Sequence, residues 1–300
     1  MKIVENWRSQ RLEPKPKFIT VILNYNNEEF TDICLDALRK IDYCNHEIIV
    51  IDDFSKTNKI SAIVNKYPGV ILRRNEKNLV YCKSFNRGID IALSRGADYV
   101  FLVNNDTKDF TRNYFDAVLE EFNRDVGIGI VGSRCYDYSG RVLRDESGSV
   151  RFGFNMVVPS EGYVISKLAL QAVHGFNEHL IIYMEDLDLL KRLSAKGFKF
   201  GFSSACSFKH YCGATSSKFK FKFVFLRTRN ICLFVRHYRS KQTRDQQLLE
   251  IRSNVGSSVK MALSYLKKGN VLDAIKMLCA VSCGLVVGYL SDLNKFFESE

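Results

Sequence analysis

The sequence predicts an α/β fold in which helices flank a mixed, mostly parallel β-sheet, followed by a helical C-terminal extension. In the first half of the chain, short runs that are apolar on both faces alternate with segments of helical periodicity. Such runs are typical of strands in a parallel sheet that helices cover on both sides. Beyond about residue 217 the alternation ends and long helical segments follow.

The individual elements follow from the same patterns. The apolar runs that predict strands in the first half lie at 18–23 (FITVIL), 47–51 (EIIVI), 70–72 and 99–103 (YVFLV). The periodic segments that predict helices there lie at 29–40, 60–66 and 84–95. In the second half we predict strands at 128–136 and 150–157, a helix from Lys167, a helix at 187–196, and helical breaks near Ser240 and at Gly269-Asn270.

Length and composition fit one large domain with an appendage. The chain has 300 residues, of which 46% are hydrophobic and 26% charged, so a packed core is expected and disorder is not. We predict a first domain over residues 1–235 and a basic, amphipathic helical region over residues 236–300.

The positive charge of the chain is concentrated in one segment. Residues 218–268 hold 13 Lys and Arg but only two acids, Asp245 and Glu250, and account for the whole net charge of +11. A segment of this kind favours a polyanionic partner, whereas a solvated helix face is the plainer alternative. Because Lys and Phe alternate over 218–223, we expect an anionic membrane surface. No recognised nucleic-acid-binding motif accompanies the segment, so nucleic acid is not expected.

Cysteine usage and the chain's apolar runs indicate a cytoplasmic protein. The nine cysteines are irregularly spaced without a CxxC pair, which favours reduced thiols over disulfides or a zinc site. The first 17 residues are polar and lack the apolar core of an export signal. The longest apolar run, at 277–290, is shorter than the roughly 18 to 20 residues that a spanning helix needs. We therefore expect the protein to be peripheral at the inner face of the membrane.

Polar turns follow three of the predicted strands. Asn24-Tyr25 follows the first strand, Asp52-Asp53 the second, and Asn104-Asn105-Asp106 the fourth. In open α/β sheets ligands bind beyond the carboxyl ends of the strands, so these turns are predicted to share a ligand site.

Asp106 and Asp53 each allow two interpretations. A carboxylate beside amide oxygens suits Mg²⁺ or Mn²⁺, but Asp106 or Thr107 could instead cap a following helix. An acid after the second strand commonly contacts the ribose or base of a nucleotide, whereas capping of a helix by Ser55 would explain the same turn without a ligand.

Two further segments carry candidate site residues. Glu185, Asp186 and Asp188 lie at the start of a predicted helix, where one carboxylate could act as a general base and another could simply favour the helix dipole. His210 could bind a metal or a phosphate, although a single histidine is more often structural.

Taken together, these segments occur in a recognisable order and spacing. They are FITVILNYN (18–26), EIIVIDDFS (47–55), NEKNLVYCKSFNRGI (75–89), ADYVFLVNND (97–106), HGFNEHLIIYMEDLDLLKRLSAKG (174–197) and HYCGATS (210–216). Over about residues 17–235 the chain resembles the family 2 inverting glycosyltransferases with the Rossmann-like GT-A fold. Its Asn-x-Asp turn and YMEDLDL run are similar to those of bacterial rhamnosyltransferases and related enzymes of O-antigen or capsule assembly.

The resemblance implies roles for three of the site residues. Asp53 would contact the donor base, Asp106 would coordinate a divalent cation, and Asp186 would be the catalytic base. His210 is predicted to join Asp106 as a metal ligand. The other predicted nucleotide or substrate contacts are Asn24, Tyr25, Lys83, Asn105 and Glu185.

The implied reaction moves a sugar from a dTDP- or UDP-sugar to a hydroxyl of a glycan or lipid-linked acceptor. A homodimer is left open. One alternative is a sugar-phosphate nucleotidyltransferase, which should carry a glycine-rich loop after the first strand, where residues 24–29 contain no glycine. The other is a non-catalytic basic protein that binds membranes or nucleic acid, which would leave the three strand-end turns unexplained.

Overall fold

The computed structural model describes residues 14–145, 149–151, 154–156, 161–211, 220–238, 244–292 and residue 296. The statements below concern these residues. Residues 1–13 of the predicted polar N-terminus, residues 212–216 of the last family segment and Lys218-Phe219 of the Lys/Phe run lie outside them.

The first half is a parallel α/β unit, as predicted. Its elements are β1 (Phe18–Asn24), α1 (Glu28–Leu38), β2 (His46–Asp52), α2 (Lys59–Val64), β3 (Ile71–Arg74), α3 (Val80–Ser94) and β4 (Tyr99–Asn104). The four strands are parallel and lie in the order β3-β2-β1-β4, which brings their carboxyl ends to one edge.

The second half makes the sheet mixed. Its elements are β5 (Thr107–Lys108), α4 (Tyr114–Arg124), β6 (Ile128–Asp137), β7 (Val142–Arg144), β8 (Ser149–Arg151), β9 (Phe154–Met156), β10 (Gly162–Ser166), α5 (Lys167–Val173), a 3₁₀ turn (Glu178–Leu180), α6 (Glu185–Ala195) and β11 (Lys199–His210). Strand β10 lies antiparallel between β4 and β6, and β11 runs parallel to β6 and antiparallel to β5.

The sequence analysis missed β10 and β11 and gave one other strand wrongly. The five residues of β10 run directly into α5, so their apolar pattern merges with that of the helix. Strand β11 contains a serine-rich stretch where its register with β6 shifts between Ser203 and Ser207, which disrupts the expected alternation. The strand predicted at 150–157 is replaced by the separate β8–β9 hairpin.

Two apolar clusters cover the two faces of the sheet. The cluster on one face joins the sheet to α3, α5, α6 and the next helix of the chain, and includes Ile19, Phe85, Tyr163 and Leu189. The cluster on the opposite face joins it to α1 and α4 and includes Phe18 and Phe115. Since strand side chains alternate between faces, the odd-numbered residues of β10 belong to the first face.

Three helices follow, α7 (Lys220–His237), α8 (Arg244–Lys267) and α9 (Val271–Leu290). The break at Gly269-Asn270 lies where the sequence predicts it, whereas the break predicted near Ser240 lies outside the described residues. Helix α7 is largely buried, because Ile231, Leu233 and Phe234 enter the cluster that also holds α3 and α6. The predicted boundary between residues 235 and 236 lies in the last turn of α7 and stays a prediction.

Helix α9 is longer than the apolar run suggested. It has 20 residues and a mean hydropathy of 1.9, so by length and composition it could span a membrane. The apolar run at 277–290, which the sequence analysis judged too short to span, is only the second part of this helix. About a third of its most apolar stretch is buried. Gly284 and Gly288 allow close packing on α7, because a Cβ there would lie 2.8 Å from the Phe225 carbonyl and 2.6 Å from the Arg229 carbonyl. The opposite side of α9 is apolar and exposed, including Leu272, Ile275, Leu278, Val286 and Leu290.

Candidate active site

A buried hydrogen-bond network ties together the three predicted strand-end turns. The Nδ2 of Asn24 donates to Asp52 Oδ1 at 2.8 Å and to Ser55 Oγ at 3.1 Å. Thr31 Oγ1 donates to Asn24 Oδ1 and accepts from Asn105 Nδ2, each at 2.9 Å. The turns after β1, β2 and β4 are therefore fixed to one another. Asn24 and Asn105 act here as supports, and their predicted contact with substrate stays a prediction.

Asp53 stabilises the start of α3. Its Oδ1 accepts from Asn75 Nδ2, Leu79 N and Ser84 Oγ at 2.7–2.8 Å, and its Oδ2 accepts from Val80 N at 2.9 Å. The residue is only 2% exposed. Asp53 thus lies at the expected edge of the sheet, but both of its carboxylate oxygens already accept hydrogen bonds from the protein.

Ser55 does not cap a helix, so that alternative explanation of the turn is wrong. Its hydroxyl donates to Asp52 Oδ1 at 2.5 Å, and the next helix begins only at Lys59. Tyr25 is half-buried in the turn after β1. Lys83 is half-exposed on α3, with its Nζ 3.8 Å from Glu178 Oε2.

Asp106 and His210 meet at the same edge. Strand β5 follows Asp106 directly, so neither Asp106 nor Thr107 caps a helix. His210 ends β11 and pairs with Thr107, which brings its Nε2 to 3.0 Å from Asp106 Oδ1. Asn104 lies beside them, with its Nδ2 3.5 Å from the same ring nitrogen.

The Asp106–His210 pair fits a divalent cation. Two neighbouring ligands in an octahedral site with bonds of about 2.1 Å would lie about 3.0 Å apart, as these two atoms do. Within the described ranges no group of three His, Cys, Asp or Glu side chains could hold a metal. The pair therefore suits an ion that takes its other ligands from substrate phosphates and water, as is usual at phosphate-binding sites.

Asp186 lies in the first turn of α6 and is held by the sheet. Tyr163 in β10 donates its hydroxyl hydrogen to Asp186 Oδ1 at 2.5 Å. Asp186 is half-buried, so part of the residue remains accessible to solvent. An anchored, partly exposed carboxylate has the properties that a general base requires.

The two acids beside Asp186 have different environments. Asp188 is fully buried and accepts from Arg192 Nε at 2.7 Å and from Tyr238 Oη at 3.1 Å, so it is structural. Glu185 is also buried, and its Oε2 has no hydrogen-bond partner in the described part of the chain. Burial, with a further contribution from the charge of Asp186, raises the pKa of Glu185 well above its usual range. Of the three predicted acids, Asp186 is thus the one placed to accept a proton.

Helix α7 holds the loop that leads to Asp186. The fully buried Asn230 directs its Nδ2 at the carbonyls of Leu180, Ile182 and Tyr183, at 2.6–2.9 Å. Arg229 donates to the carbonyl of Leu180 at 3.2 Å. Helix α7, which follows the last strand of the sheet in the chain, therefore helps to shape the site.

The same loop contains an unusual backbone. Ile181, Tyr183 and Met184 have φ values of 67°, 70° and 69°, in a region that side chains other than glycine rarely adopt. Such conformations persist where surrounding contacts enforce them, and they concentrate at functional sites.

Sequence reasoning missed Tyr163 and Asn230. Tyr163 lies in a strand that was not predicted. Asn230 lies in a basic helix, which the sequence analysis interpreted as part of a membrane-binding surface. No local pattern marks either residue, because each contacts residues far away in the chain.

The comparisons with known proteins agree with this architecture. A GDP-mannose and Mn²⁺ complex of the mannosyltransferase PcManGT from Pyrobaculum calidifontis superposes with a TM-score of 0.57 at 14% identity, covering 91% of this chain and 86% of that chain. Staphylococcus aureus TarS 1-349 with UDP-GlcNAc gives a TM-score of 0.61 at 16% identity, covering 91% and 89%. GalNAc-T7 with UDP, GalNAc and Mn²⁺ gives 0.52 at 14% identity, covering 66% and 44%. No curated protein sequence matches the chain significantly.

The architecture and the edge of polar turns define the GT-A class of glycosyltransferase. Residues 20–166 match the family model described as Glycosyl transferase family 2. This match supports a family 2 domain over these residues, and the chain is a glycosyltransferase. The predicted fold class and enzyme class are confirmed.

Proposed function

We propose that the protein is an inverting, rhamnosyltransferase-like enzyme that transfers a sugar from a dTDP- or UDP-sugar to a hydroxyl of a glycan or lipid-linked acceptor. Its place would be the assembly of bacterial surface polysaccharide, O-antigen or capsule. One observation carries the proposal. Tyr163 anchors Asp186 to β10, and β10 pairs with β4. Strand β4 in turn ends beside the Asp106–His210 pair. A base and a cation site thus adjoin the same edge of the sheet.

The chemistry assigned to the chain is a single displacement. The Asp186 carboxylate takes the proton of the acceptor hydroxyl as that oxygen attacks the anomeric carbon. The bond from that carbon to the nucleoside diphosphate breaks on the opposite side, so the configuration inverts. Tyr163 holds Asp186 in position throughout.

Asp106 and His210 would hold a divalent cation. When bound, the ion neutralises charge on the departing diphosphate. Because Mg²⁺ prefers oxygen ligands only and imidazole suits transition metals, this donor set favours Mn²⁺ over Mg²⁺. The Mn²⁺ complexes of two structural neighbours support this assignment.

The donor belongs at the turns fixed by Asn24, Asp53 and Asn105. Structural neighbours were determined with GDP-mannose and UDP-GlcNAc, which supports a nucleotide-sugar donor here. Tyr25 and Lys83 border this edge, and we assign them to the nucleotide or its phosphates. Glu185 we assign to the acceptor side, next to Asp186.

We also place the protein on the cytoplasmic face of an anionic membrane. The corner between α8 and α9 exposes Leu266, Val271 and Leu272 beside Lys267 and Lys268. Apolar side chains flanked by lysines suit the boundary between lipid tails and anionic headgroups. Because α7 is largely buried, its part of the 218–268 segment contributes little to such contact. We therefore assign the lipid-binding surface to the end of that segment and to α9.

Donor binding and turnover test the proposed function. The full chain is screened by thermal shift against UDP, dTDP and GDP, each with and without Mn²⁺, and then against the corresponding sugar nucleotides. We expect stabilisation by one diphosphate that increases with Mn²⁺. The anomer formed on donor hydrolysis or transfer, followed by NMR, should be inverted.

Asp186→Asn separates catalysis from binding. We expect this variant to retain diphosphate binding and to lose at least about 100-fold in donor hydrolysis or transfer, as is typical for loss of a general base. The matched control is Asp36→Asn, at an exposed position on α1. Absence of binding by all three diphosphates, or full activity of Asp186→Asn, would refute the proposal.

A further inference from the structure

Glu161 directly precedes β10, the strand that lies between β4 and β6, and has no part in the contacts described above. Its carbonyl accepts from Asn104 N at 3.1 Å, which extends the ladder between β10 and β4 beyond the Gly162–Val103 pair. Glu161 therefore lies opposite the first residue of the Asn104-Asn105-Asp106 turn.

The side chain of Glu161 lies on the side of the sheet that carries Asp186. Glu161 directly precedes β10 and its carbonyl continues the ladder to β4, so we infer from the alternation of side chains that it shares a face with Tyr163, two residues further along. Tyr163 reaches Asp186 from that face. Burial is the main cause that raises the pKa of Tyr81, and the charges of Asp186, Glu185, Cys82 and Glu161 raise it further, so all four lie in the neighbourhood of Tyr81.

The carboxylate of Glu161 is incompletely satisfied. Its side chain is 13% exposed, and Oε1 lies 3.8 Å from Arg144 Nη2, which is beyond hydrogen-bond distance. Oε2 is buried and accepts no hydrogen bond within the described ranges. A buried carboxylate oxygen without a donor is costly to the folded state, and native proteins rarely keep one without a purpose.

We propose that Glu161 accepts hydrogen bonds from hydroxyls of the transferred sugar and helps to select it. This inference rests on the proposed function, because it places the sugar between a cation-bound diphosphate and Asp186. A carboxylate accepts from hydroxyls and repels other carboxylates, so the site takes a neutral, hydroxylated hexose and disfavours a uronic acid. A site that bonds a hydroxyl also discriminates strongly against the analogue that lacks it.

The experiment compares the affinity for a sugar nucleotide with the affinity for its diphosphate. Wild type, Glu161→Gln and Glu161→Ala are titrated calorimetrically with UDP, UDP-GlcNAc, GDP, GDP-mannose, dTDP and dTDP-rhamnose in the presence of Mn²⁺. For the sugar nucleotide that wild type prefers, we expect both variants to lose about tenfold or more in affinity. Their affinity for the corresponding diphosphate should stay within about twofold, which a merely structural role of Glu161 would not produce. Glu120→Gln, at an exposed position on α4, is the matched control and should behave as wild type.

The outcomes separate this inference from the function on which it rests. Equal losses for sugar nucleotide and diphosphate, or no loss for either, overturn the role of Glu161 while the glycosyltransferase proposal stands. A wild type that binds the diphosphate and gains nothing from any attached sugar also overturns it. A wild type that binds none of the six compounds overturns both proposals.

Discussion

The hydrogen bond between Tyr163 and Asp186 determines how the proposed base is presented. A hydroxyl that donates to a carboxylate stabilises its ionised form and restricts its rotation. Tyr163 itself is fully buried, and burial followed by the charge of Asp186 raises its pKa well above its usual range, so it remains a donor at neutral pH. The hydrogen bond therefore orients the Asp186 carboxylate and favours its ionised form.

Tyr163→Phe should weaken catalysis without unfolding the protein. A hydrogen bond to a charged group is worth about 1.5–3 kcal/mol, so we expect kcat to fall at least about tenfold. The acidic limb of the kcat/KM profile should move to higher pH, because the carboxylate loses a bond that favours its ionised form. Tyr114→Phe is the matched control, since Tyr114 is equally buried but bonds Ser133 on the other face of the sheet. An unchanged pH profile would contradict the role of Tyr163.

Glu185 should make stability depend on pH. Its pKa is raised in the folded protein above the ordinary 4.5, so ionising it costs more in the folded than in the unfolded state. The free energy of unfolding should therefore fall as pH rises above about 4.5. We expect Glu185→Gln, which cannot ionise, to be more stable than wild type at pH 8 and to lose that advantage as pH falls toward 4.5. Urea unfolding at several pH values measures this, and a difference that is constant across pH would contradict it.

Helix α7 connects the C-terminal helices to the loop that precedes Asp186. On one side Asn230 and Arg229 hold the carbonyls that precede α6, and on the other side Gly284 and Gly288 of α9 pack on its backbone. The positive φ values at Tyr183 and Met184 need such external support. A helix of the basic segment thus stabilises the geometry of the site.

Asn230→Ala should therefore impair catalysis and stability together. Buried carbonyls that lose a donor cost about 1–3 kcal/mol, and the loop that carries Asp186 should become less well positioned. We expect kcat to fall about tenfold or more with a smaller effect on diphosphate affinity. Asn254→Ala is the control, because Asn254 is also buried and bonds Thr228 of α7 but does not contact the loop. Equal effects of the two changes on kcat would exclude a positioning role for Asn230.

At the scale of the whole molecule, charge and apolar surface are distributed unequally. The net charge of +11 resides in residues 218–268, and α9 exposes an apolar side that no described residue covers. The catalytic edge belongs to the α/β domain, so the proposed lipid contact and the reaction occupy different parts of the chain. An enzyme that uses lipid-linked acceptors benefits from such a division, because the surface that binds the membrane also concentrates its substrate.

Binding to vesicles should depend on Lys267 and Lys268. We expect the full chain to sediment with vesicles containing anionic lipid and less with pure phosphatidylcholine vesicles. Each lysine near an anionic surface contributes about 1 kcal/mol, so replacing both by alanine should weaken binding about 30-fold. The control replaces Lys40 and Lys199, two exposed lysines of the α/β domain, and removes the same charge. Equal effects of the two double variants would rule out this corner as the lipid-binding surface.

The sequence by itself determined the parallel half of the sheet and the positions of its polar turns. Apolar runs such as 18–23 and 99–103 can be recognised locally because both faces of a central parallel strand are buried. The spacing of the turns then predicts a shared edge, and the structure confirms it. Asp106 became a candidate in this way, whereas Asp186 was singled out by the family resemblance.

Only the tertiary structure decided how the site is assembled. The pairing of β11 with β5 brings His210 to Asp106, the position of β10 brings Tyr163 to Asp186, and α7 brings Asn230 to the loop. These contacts join residues that are 23 to 104 positions apart, and none is encoded by a local pattern. Strands β10 and β11 were also missed, because their register depends on partners and not on their own alternation. Local sequence sets which residues are polar at a strand end, whereas strand order and helix packing set which of them meet.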